Sequence, residues 1–528
     1  MRPYFWVMAG CGTALLLALA SPASAADKIV ARWNAAEPET LDPQRSTSAS
    51  DDQVEQDLFE GLTRATVDGK ILPGIADSWT VSPDGLTYSF HLRGDAKWSN
   101  GDPVTSADFL YSFRRLVTPE TGAAYIDPLQ NVINAEAIVA GKVADPAALG
   151  VEAPSPSSLV LHLVRPEHSL LLLLSGRATY PLPRATIEKF GHEWTRPGNI
   201  VGDGPFTLRS WVPHDQIVLD KSQTYYGKDE IKIDAVRHIV VDNESTGFLR
   251  WQAGELDIAQ PPAKEIPTLD ARFGARVHHG RSRSVSYASI NMGRAPLGTD
   301  HRLREAMNLA IDREVLVTKV LTRGEKPAYS FVPPVMSDYT PQRLPFQEMS
   351  MADRVARAKQ LMAEAGYGPD HPLAIEVTFS TNEEVRTLAA ALQQMWAPIG
   401  IKATLTNEEF QVYMETINHK AHQVGLLNFV DDIDDAEQFL HIYRTNGGDF
   451  NDAGFADKEF DADLAAAAGT VDPVARRAAL EAAERRLMAE MPVLPLSYGT
   501  TTMLVSDRIQ GWIDNDAGTA SRYLSIKD

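Results

Sequence analysis

Two hydrophobic rhythms alternate along this chain, and together they limit its fold more than any other feature. Apolar residues recur at every second position in Tyr88, Phe90 and Leu92, in Leu159, Leu161 and Leu163, and in Ile375, Val377 and Phe379, the spacing of one strand face. Ile217-Val218-Leu219 and Ile239-Val240-Val241 read as shorter, more buried strands. Between them, Leu303, Ala306, Met307, Ala310 and Ile311 follow helical spacing behind Asp300, a candidate N-cap. Val355, Ala358, Leu361, Met362 and Ala365 form a second helical stripe, and Gly366 supplies its stop. A third helix is predicted to start at Asp472-Pro473, a cap followed by a first-turn proline, and to run to about Glu490. The five leucines 170–174 predict a buried helix. Strands and helices interleaved in this way give an α/β class and leave the sheet topology open. A body of roughly 500 residues exceeds what one core supports, so two or three lobes are expected.

The first residues set the compartment. Arg2 precedes an apolar run from Phe5 to Ala20, and Ala23-Ser24-Ala25 offers the small-x-small pattern of a cleaved secretory signal, placing the mature N-terminus near Ala26. Cys11 sits ahead of Leu15, Leu16, Leu17 and Leu19, too early in the apolar run for a lipid-attachment cysteine. It is the only cysteine, so the mature chain is left without thiol chemistry, disulfides or cysteine-bound zinc. The leader carries only Arg2, so its removal leaves 49 basic against 70 acidic residues, a net charge of −21. Such a charge repels nucleic acid and anionic lipid.

An enzyme should show chemically useful spacing, and the common patterns are missing. There is no Gly-x-Ser-x-Gly elbow, no His-Glu-x-x-His helix and no Gly-x-x-x-x-Gly-Lys loop. Gly202-Asp203-Gly204 is followed by Thr207 where a dinucleotide fingerprint needs glycine. His278 and His279 are strand neighbours that point to opposite faces and cannot readily share a metal. Asp431, Asp432, Asp434 and Asp435 lack the alternation and central glycine of a calcium loop. They read either as a solvated acidic loop or as a place where a carboxylate meets a ligand's ammonium group.

Several segments, in order, resemble the periplasmic oligopeptide-binding proteins of ABC importers, solute-binding family 5, which also includes dipeptide and nickel receptors. They are Thr40-Leu41-Asp42-Pro43, Asp57-Leu58-Phe59-Glu60-Gly61-Leu62, Phe90-His91-Leu92-Arg93, and Lys97-Trp98-Ser99-Asn100-Gly101-Asp102-Pro103-Val104-Thr105. Glu188-Lys189-Phe190-Gly191, Asn199-Ile200-Val201, Gly254-Glu255-Leu256-Asp257, Arg304-Glu305-Ala306 through Asp312-Arg313, and Ala363-Glu364-Ala365-Gly366-Tyr367 continue the series. The resemblance implies a bilobal type II clamshell of the large three-domain subclass. Its expected organisation is a signal peptide over 1–25, lobe I in segments 26–67, 198–290 and 501–528, an inserted domain over 68–197, and lobe III over 291–500. It further implies a periplasmic, monomeric receptor without cofactor or catalytic activity, whose partners are an oligopeptide and the permease subunits of an importer. Receptors of this fold for an opine, a modified sugar or a metal chelate form the alternative reading, and a secreted hydrolase is a remote one.

In peptide-binding relatives the ligand lies extended, its main chain bonded like an added strand. The family's ammonium-binding aspartate precedes a Phe-Leu pair, here Phe439-Leu440, and counting back places it at Asp432. The same carry-over points to Asn428, Phe429, Val430 and Asp431 beside it, and to Phe410, as ligand-binding residues. Phe429 and Phe410 stand where relatives often carry pocket tryptophans. Proline is frequent in relatives at Ala436, and basic residues that meet a ligand carboxylate would fall near Val385, Ile417 and Leu426, all apolar here.

Overall fold

The computed structural model describes residues 28–66, 70–123, 125–431, 433–445, 447–514 and 518–527. The leader 1–25, Cys11, Ala26 and the 67/68 boundary lie outside them. A mixed sheet of eleven strands forms the backbone of the molecule. Its strands used below are β1 (Ile29–Asn34), β6 (Phe206–Val212), β7 (Gln216–Lys221), β8 (Ala235–Val240), β9 (Ile258–Ala259), β10 (Val277–Ile290), β11 (Leu373–Ser380), β12 (Ile401–Glu408), β13 (Val424–Val430) and β14 (Val493–Val505). They lie in the order β12-β11-β13-β10-β14-β9-β1-β8-β7-β6, with Lys326–Pro327 paired to β14. The four remaining strands labelled here, β2 (Ala76–Val81), β3 (Thr87–Leu92), β4 (Val151–Ser155) and β5 (Ser158–His162), make a separate antiparallel sheet in the order β2-β3-β5-β4.

The alternation seen in the sequence is what buries one face of each sheet. Tyr88, Phe90 and Leu92 of β3 and Leu159 and Leu161 of β5 point inward, as do Ile375, Val377 and Phe379 of β11. Helix α1 spans Ala49–Leu58 and α2 spans Ser106–Val117. Helix α3 (His301–Leu309) is capped by the Asp300 carboxylate, which accepts from the Arg302 N–H at 3.0 Å. Helix α4 (Met351–Glu364) ends just before Gly366, whose φ of +87° suits a residue without Cβ. Of the leucine run, Leu170–Leu173 form one short turn of helix with Leu170 and Leu174 buried. Helices α5 (Glu383–Trp396), α6 (Phe410–Asn418) and α7 (Ala436–Leu440) pack around the β11–β13 side of the large sheet, followed by α8 (Pro473–Glu490). Asp472 caps α8 by accepting from the Val474 N–H at 3.0 Å.

Only β10 and β14, among the described strands, run the length of both halves of the large sheet. Val277–Arg281 pair with Thr500–Leu504 on the β9–β1 side, and Val285–Ser289 pair with Val493–Tyr498 on the β13 side. The register breaks between Arg281 and Val285, opposite Gly499. A Cβ on Gly499 would stand 2.1 Å from Ser284 Oγ, so the crossing is built around a residue without a side chain. The apolar core divides accordingly: one cluster runs from Val285 to Tyr498, another gathers residues of β1, α1, α2 and the small sheet, and a smaller one surrounds Phe248 and Trp251.

Chain segments far apart in sequence are tied under β1 by buried polar groups. Asp57 accepts from Ser521 Oγ at 2.7 Å and lies 3.1 Å from His238 Nε2, while Arg32 Nη1 donates to Ser521 Oγ at 2.8 Å. Burial holds the His238 imidazole below its ordinary pKa, which keeps it neutral beside Arg32. Glu60 receives Tyr225 Oη at 2.6 Å, Tyr226 Oη, and Arg522 Nη1 at 2.5 Å. His278 and His279 point away from one another, as the strand requires: Nδ1 of the first meets Asp514 Oδ1 at 2.7 Å, and Nε2 of the second meets Asp270 Oδ1 at 3.0 Å.

Candidate ligand cleft

Three strands of the β13 side end together. β11 and β12 are parallel from Leu373↔Ile401 to Ser380↔Glu408, and β13 runs parallel to β11. Their carboxyl ends, Ser380, Glu408 and Val430, lead toward α5, α6 and α7. Open α/β sheets bind ligands in such a crevice at the strand carboxyl ends.

The edge of β13 is the most telling part of this crevice. β10 pairs with all of it, from Ser284↔Val430 to Ile290↔Val424. On the other side β11 pairs only at Val424 and Gly425. Among the described residues no strand covers the outer edge of Leu426–Val430, where one carbonyl is used by a side chain: Tyr413 Oη donates to Leu426 O at 2.6 Å. An open run of N–H and C=O groups beside a cleft is a template for one more extended chain.

Strand alternation sorts the candidate residues into two sets. Asn428 and Val430 are on the exposed face, Val430 at 54% exposure, and Asn428 Oδ1 accepts from Ser286 Oγ at 3.0 Å. Phe429 turns the other way, half-buried, with its ring edge-on to Phe439 at 5.1 Å. Phe410 opens α6 and is 57% exposed, a large apolar ring facing solvent. Asp431 is half-buried; its N–H donates to Arg283 O at 3.1 Å and its Oδ1 accepts from the Ile433 N–H at 2.7 Å. Asp432 lies outside the described residues.

Two features noted in the sequence gain a structural account. The acidic cluster is not simply a solvated loop, because its described carboxylates have separate protein partners. Asp434 Oδ1 accepts from the Ser337 N–H at 2.9 Å, and Asp435 caps α7 through the Glu437 N–H at 2.9 Å. Arg476 of α8 donates Nη2 to Asp435 Oδ2 at 2.8 Å and to Glu437 Oε2 at 2.7 Å. Burial works against the Arg476 charge, but the two carboxylates outweigh it and raise its pKa. Ile417 and Leu426 are core side chains, and Val385 packs against the same core. Their apolar character is a packing requirement and carries no information about a ligand's carboxylate.

Sequence reasoning missed three contributors. Arg476 and Asp435 are 41 residues apart, and nothing local in α8 marks that arginine. Ser337 reaches Asp434 from 97 residues away, through a backbone N–H that no residue type advertises. Beneath β10, Asp452 is buried and accepts from Tyr287 Oη and Ser289 Oγ, each at 2.6 Å. Burial raises its pKa even against these donors.

Residues 70–451 match the model of the bacterial extracellular solute-binding proteins, family 5 Middle. The chain is 33% identical over 492 residues to the periplasmic oligopeptide-binding protein OppA of Escherichia coli, covering 92% of this chain and 90% of that protein. A solved structure of the periplasmic murein tripeptide binding protein MppA, in its unliganded open form, superposes with a TM-score of 0.88 at 32% identity, covering 95% of this chain and 98% of that one. Haemophilus influenzae OppA in complex with the peptide RPPGFSPFR superposes with a TM-score of 0.74 at 31% identity, covering 95% and 99%. At nearly equal identity, the chain superposes more closely on the unliganded open form than on the peptide complex.

Proposed function

The chain belongs to the bacterial extracellular solute-binding proteins of family 5, and we propose that it captures oligopeptides in the periplasm, between its lobes, and delivers them to an ABC importer. The observation that carries this reading is the uncovered outer edge of Leu426–Val430 at the mouth of an open cleft. Main-chain groups are common to all peptides, so an added strand gives affinity without strict side-chain selectivity. The exposed Phe410 and Val430 supply apolar surface on the cleft wall. Asp432 is proposed to meet the ligand's ammonium group; a buried carboxylate paired with an amine contributes on the order of a few kcal/mol. No covalent step is assigned to any residue.

The test is denaturing mass spectrometry of purified mature protein, to identify what the cleft retains. A mixture of short peptides is expected, and a single non-peptide species overturns the ligand assignment. Asp432→Asn should lower affinity for Ala-Ala-Ala at least tenfold while leaving the thermal transition in place. N-acetyl-Ala-Ala-Ala should bind the parent as weakly as Ala-Ala-Ala binds the variant.

A further inference from the structure

Between Lys326–Pro327 and α4 the chain makes a long excursion, residues 328–346, that has almost no regular structure yet is held by buried polar groups. At one end, Arg313 Nε donates to Ala328 O at 2.6 Å and its guanidinium lies 5.0 Å from the Tyr329 ring centre. Tyr498, immediately before Gly499 in the crossing strand β14, accepts from the Ser330 N–H at 3.1 Å and shares a 2.6 Å hydrogen bond with Ser330 Oγ. In the middle, the fully buried carboxyl of Glu484 on α8 takes three donors, all from this segment. They are the Val332 N–H at 2.8 Å, the Gln342 N–H at 2.7 Å and Tyr339 Oη at 2.8 Å. At the tip, the Ser337 N–H holds Asp434, and Asp338 pairs with Arg477 Nη1 at 2.6 Å.

A buried carboxyl without a cation is costly, and three converging donors are what make it tolerable. The cost is understandable if the segment it fixes has work to do. Helix α8 holds the 431–437 region twice, through Arg476 on Asp435 and Glu437, and through Glu484 by way of Ser337 on Asp434. We propose that residues 328–346 form a positioning strap, through which Glu484 fixes Asp434, in the proposed ligand-binding stretch, without touching the ligand. Glu484 and Ser337 are positioning residues in this scheme. It rests on the reading of 431–435 as a ligand segment, but the strap itself can be observed without any ligand.

Two variants test it. In Glu484→Gln the amide nitrogen cannot accept, so at least one of the three donors loses its partner. Ser337→Pro removes the N–H that reaches Asp434, along with the serine hydroxyl, at an exposed turn, and should fold normally. Hydrogen exchange of the unliganded proteins is the first readout, and calorimetric titration with Ala-Ala-Ala the second. For Ser337→Pro, exchange in 433–440 should rise at least tenfold while 330–335 stays protected; for Glu484→Gln both regions should loosen. Affinity for the tripeptide should fall about tenfold in each. Unchanged exchange at 433–440 in Ser337→Pro overturns the strap, as does faster exchange there with unchanged affinity. Failure of the parent to bind any peptide would count against the peptide reading, and the exchange experiment would still decide the strap.

Discussion

Replacing Arg476 with Met keeps an unbranched apolar stem and removes the cation from between Asp435 and Glu437. The parent arginine makes contacts of 3.0 and 2.8 Å to the two oxygens of Asp435 and 2.7 Å to Glu437. Side-chain exposures of 14% for Arg476, 8% for Asp435 and 24% for Glu437 put the group near the buried end of the range. Removing one partner of a buried pair costs about 3–5 kcal/mol, whereas fully exposed pairs are worth about 0–1 kcal/mol. The Asp435 contact belongs to the first class and the Glu437 contact lies between them, so a loss of about 2–4 kcal/mol is expected for Arg476→Met. Urea denaturation, followed through the transition that reports on the β13 side, measures it. A double-mutant cycle with Asp435→Asn should return a coupling of at least ~1.5 kcal/mol, little changed by 0.5 M NaCl because partly buried pairs are weakly screened. A single-variant cost below ~0.5 kcal/mol, or two costs that simply add, would refute the assignment of Arg476 as the cation that holds this turn.

Glu60→Ala should cost about 3–5 kcal/mol, because it leaves the buried Arg522 guanidinium and two tyrosine hydroxyls without their shared acceptor; an Arg522→Met partner variant should recover part of the loss in urea melts. Burial pushes the Glu484 carboxyl up to about 7 against its ordinary 4.5, so the folded protein takes up a proton between those values. Stability from this group is therefore present at low pH and falls as pH rises from about 4.5 to 7, by about 3 kcal/mol, and in melts across pH 4–8 the difference between parent and Glu484→Gln should carry this slope. Gly499→Ala should destabilise by about 1–3 kcal/mol through the Ser284 Oγ contact, and Ser284→Ala should restore most of it. Absence of rescue would mean that the crossing relaxes in some other way.

The elements of the fold were legible wherever a local pattern also decides burial. Tyr88, Phe90 and Leu92 alternate because one face of β3 is buried, and Asp472-Pro473 starts a helix because a carboxylate and a fixed φ both favour a first turn. The order of the large sheet was not legible, since β10 and β14 meet across more than 200 residues and their register depends on Gly499, a glycine like 34 others. At the cleft, the sequence named a stretch that the structure places along the uncovered edge of β13, without showing how its residues divide between the two faces. Leu426 and Ile417, apolar where relatives carry basic residues, are core, because the inner end of β13 and the inward side of α6 are covered by packing that position in a motif does not reveal. The protein partners of the acidic run, Ser337 and Arg476, were not legible because they come from segments whose own sequences give no reason to look there.

The break in the β10 register and the uncovered edge of β13 are adjacent. Ser284 pairs with Val430, and Arg283 O accepts from the Asp431 N–H, so the irregular stretch between Arg281 and Val285 is bonded to the end of the strand a ligand would extend. A peptide laid along Leu426–Val430 would have only β13 between it and β10, one of the two described strands that cross between the halves of the sheet. Tyr498, bonded to the strap, precedes Gly499 on the opposite side of the same crossing. Ligand edge, strap and crossing thus share residues within a few positions of one another. A ligand shifts the open and closed forms only by the difference in its contacts with the two. With β13 on one half of the sheet, that difference must come from groups the other half brings to the peptide on closing. On the proposed function, the edge of β13 and Asp432 would set whether a peptide binds at all, and the groups facing them across the cleft would set how far it closes the molecule.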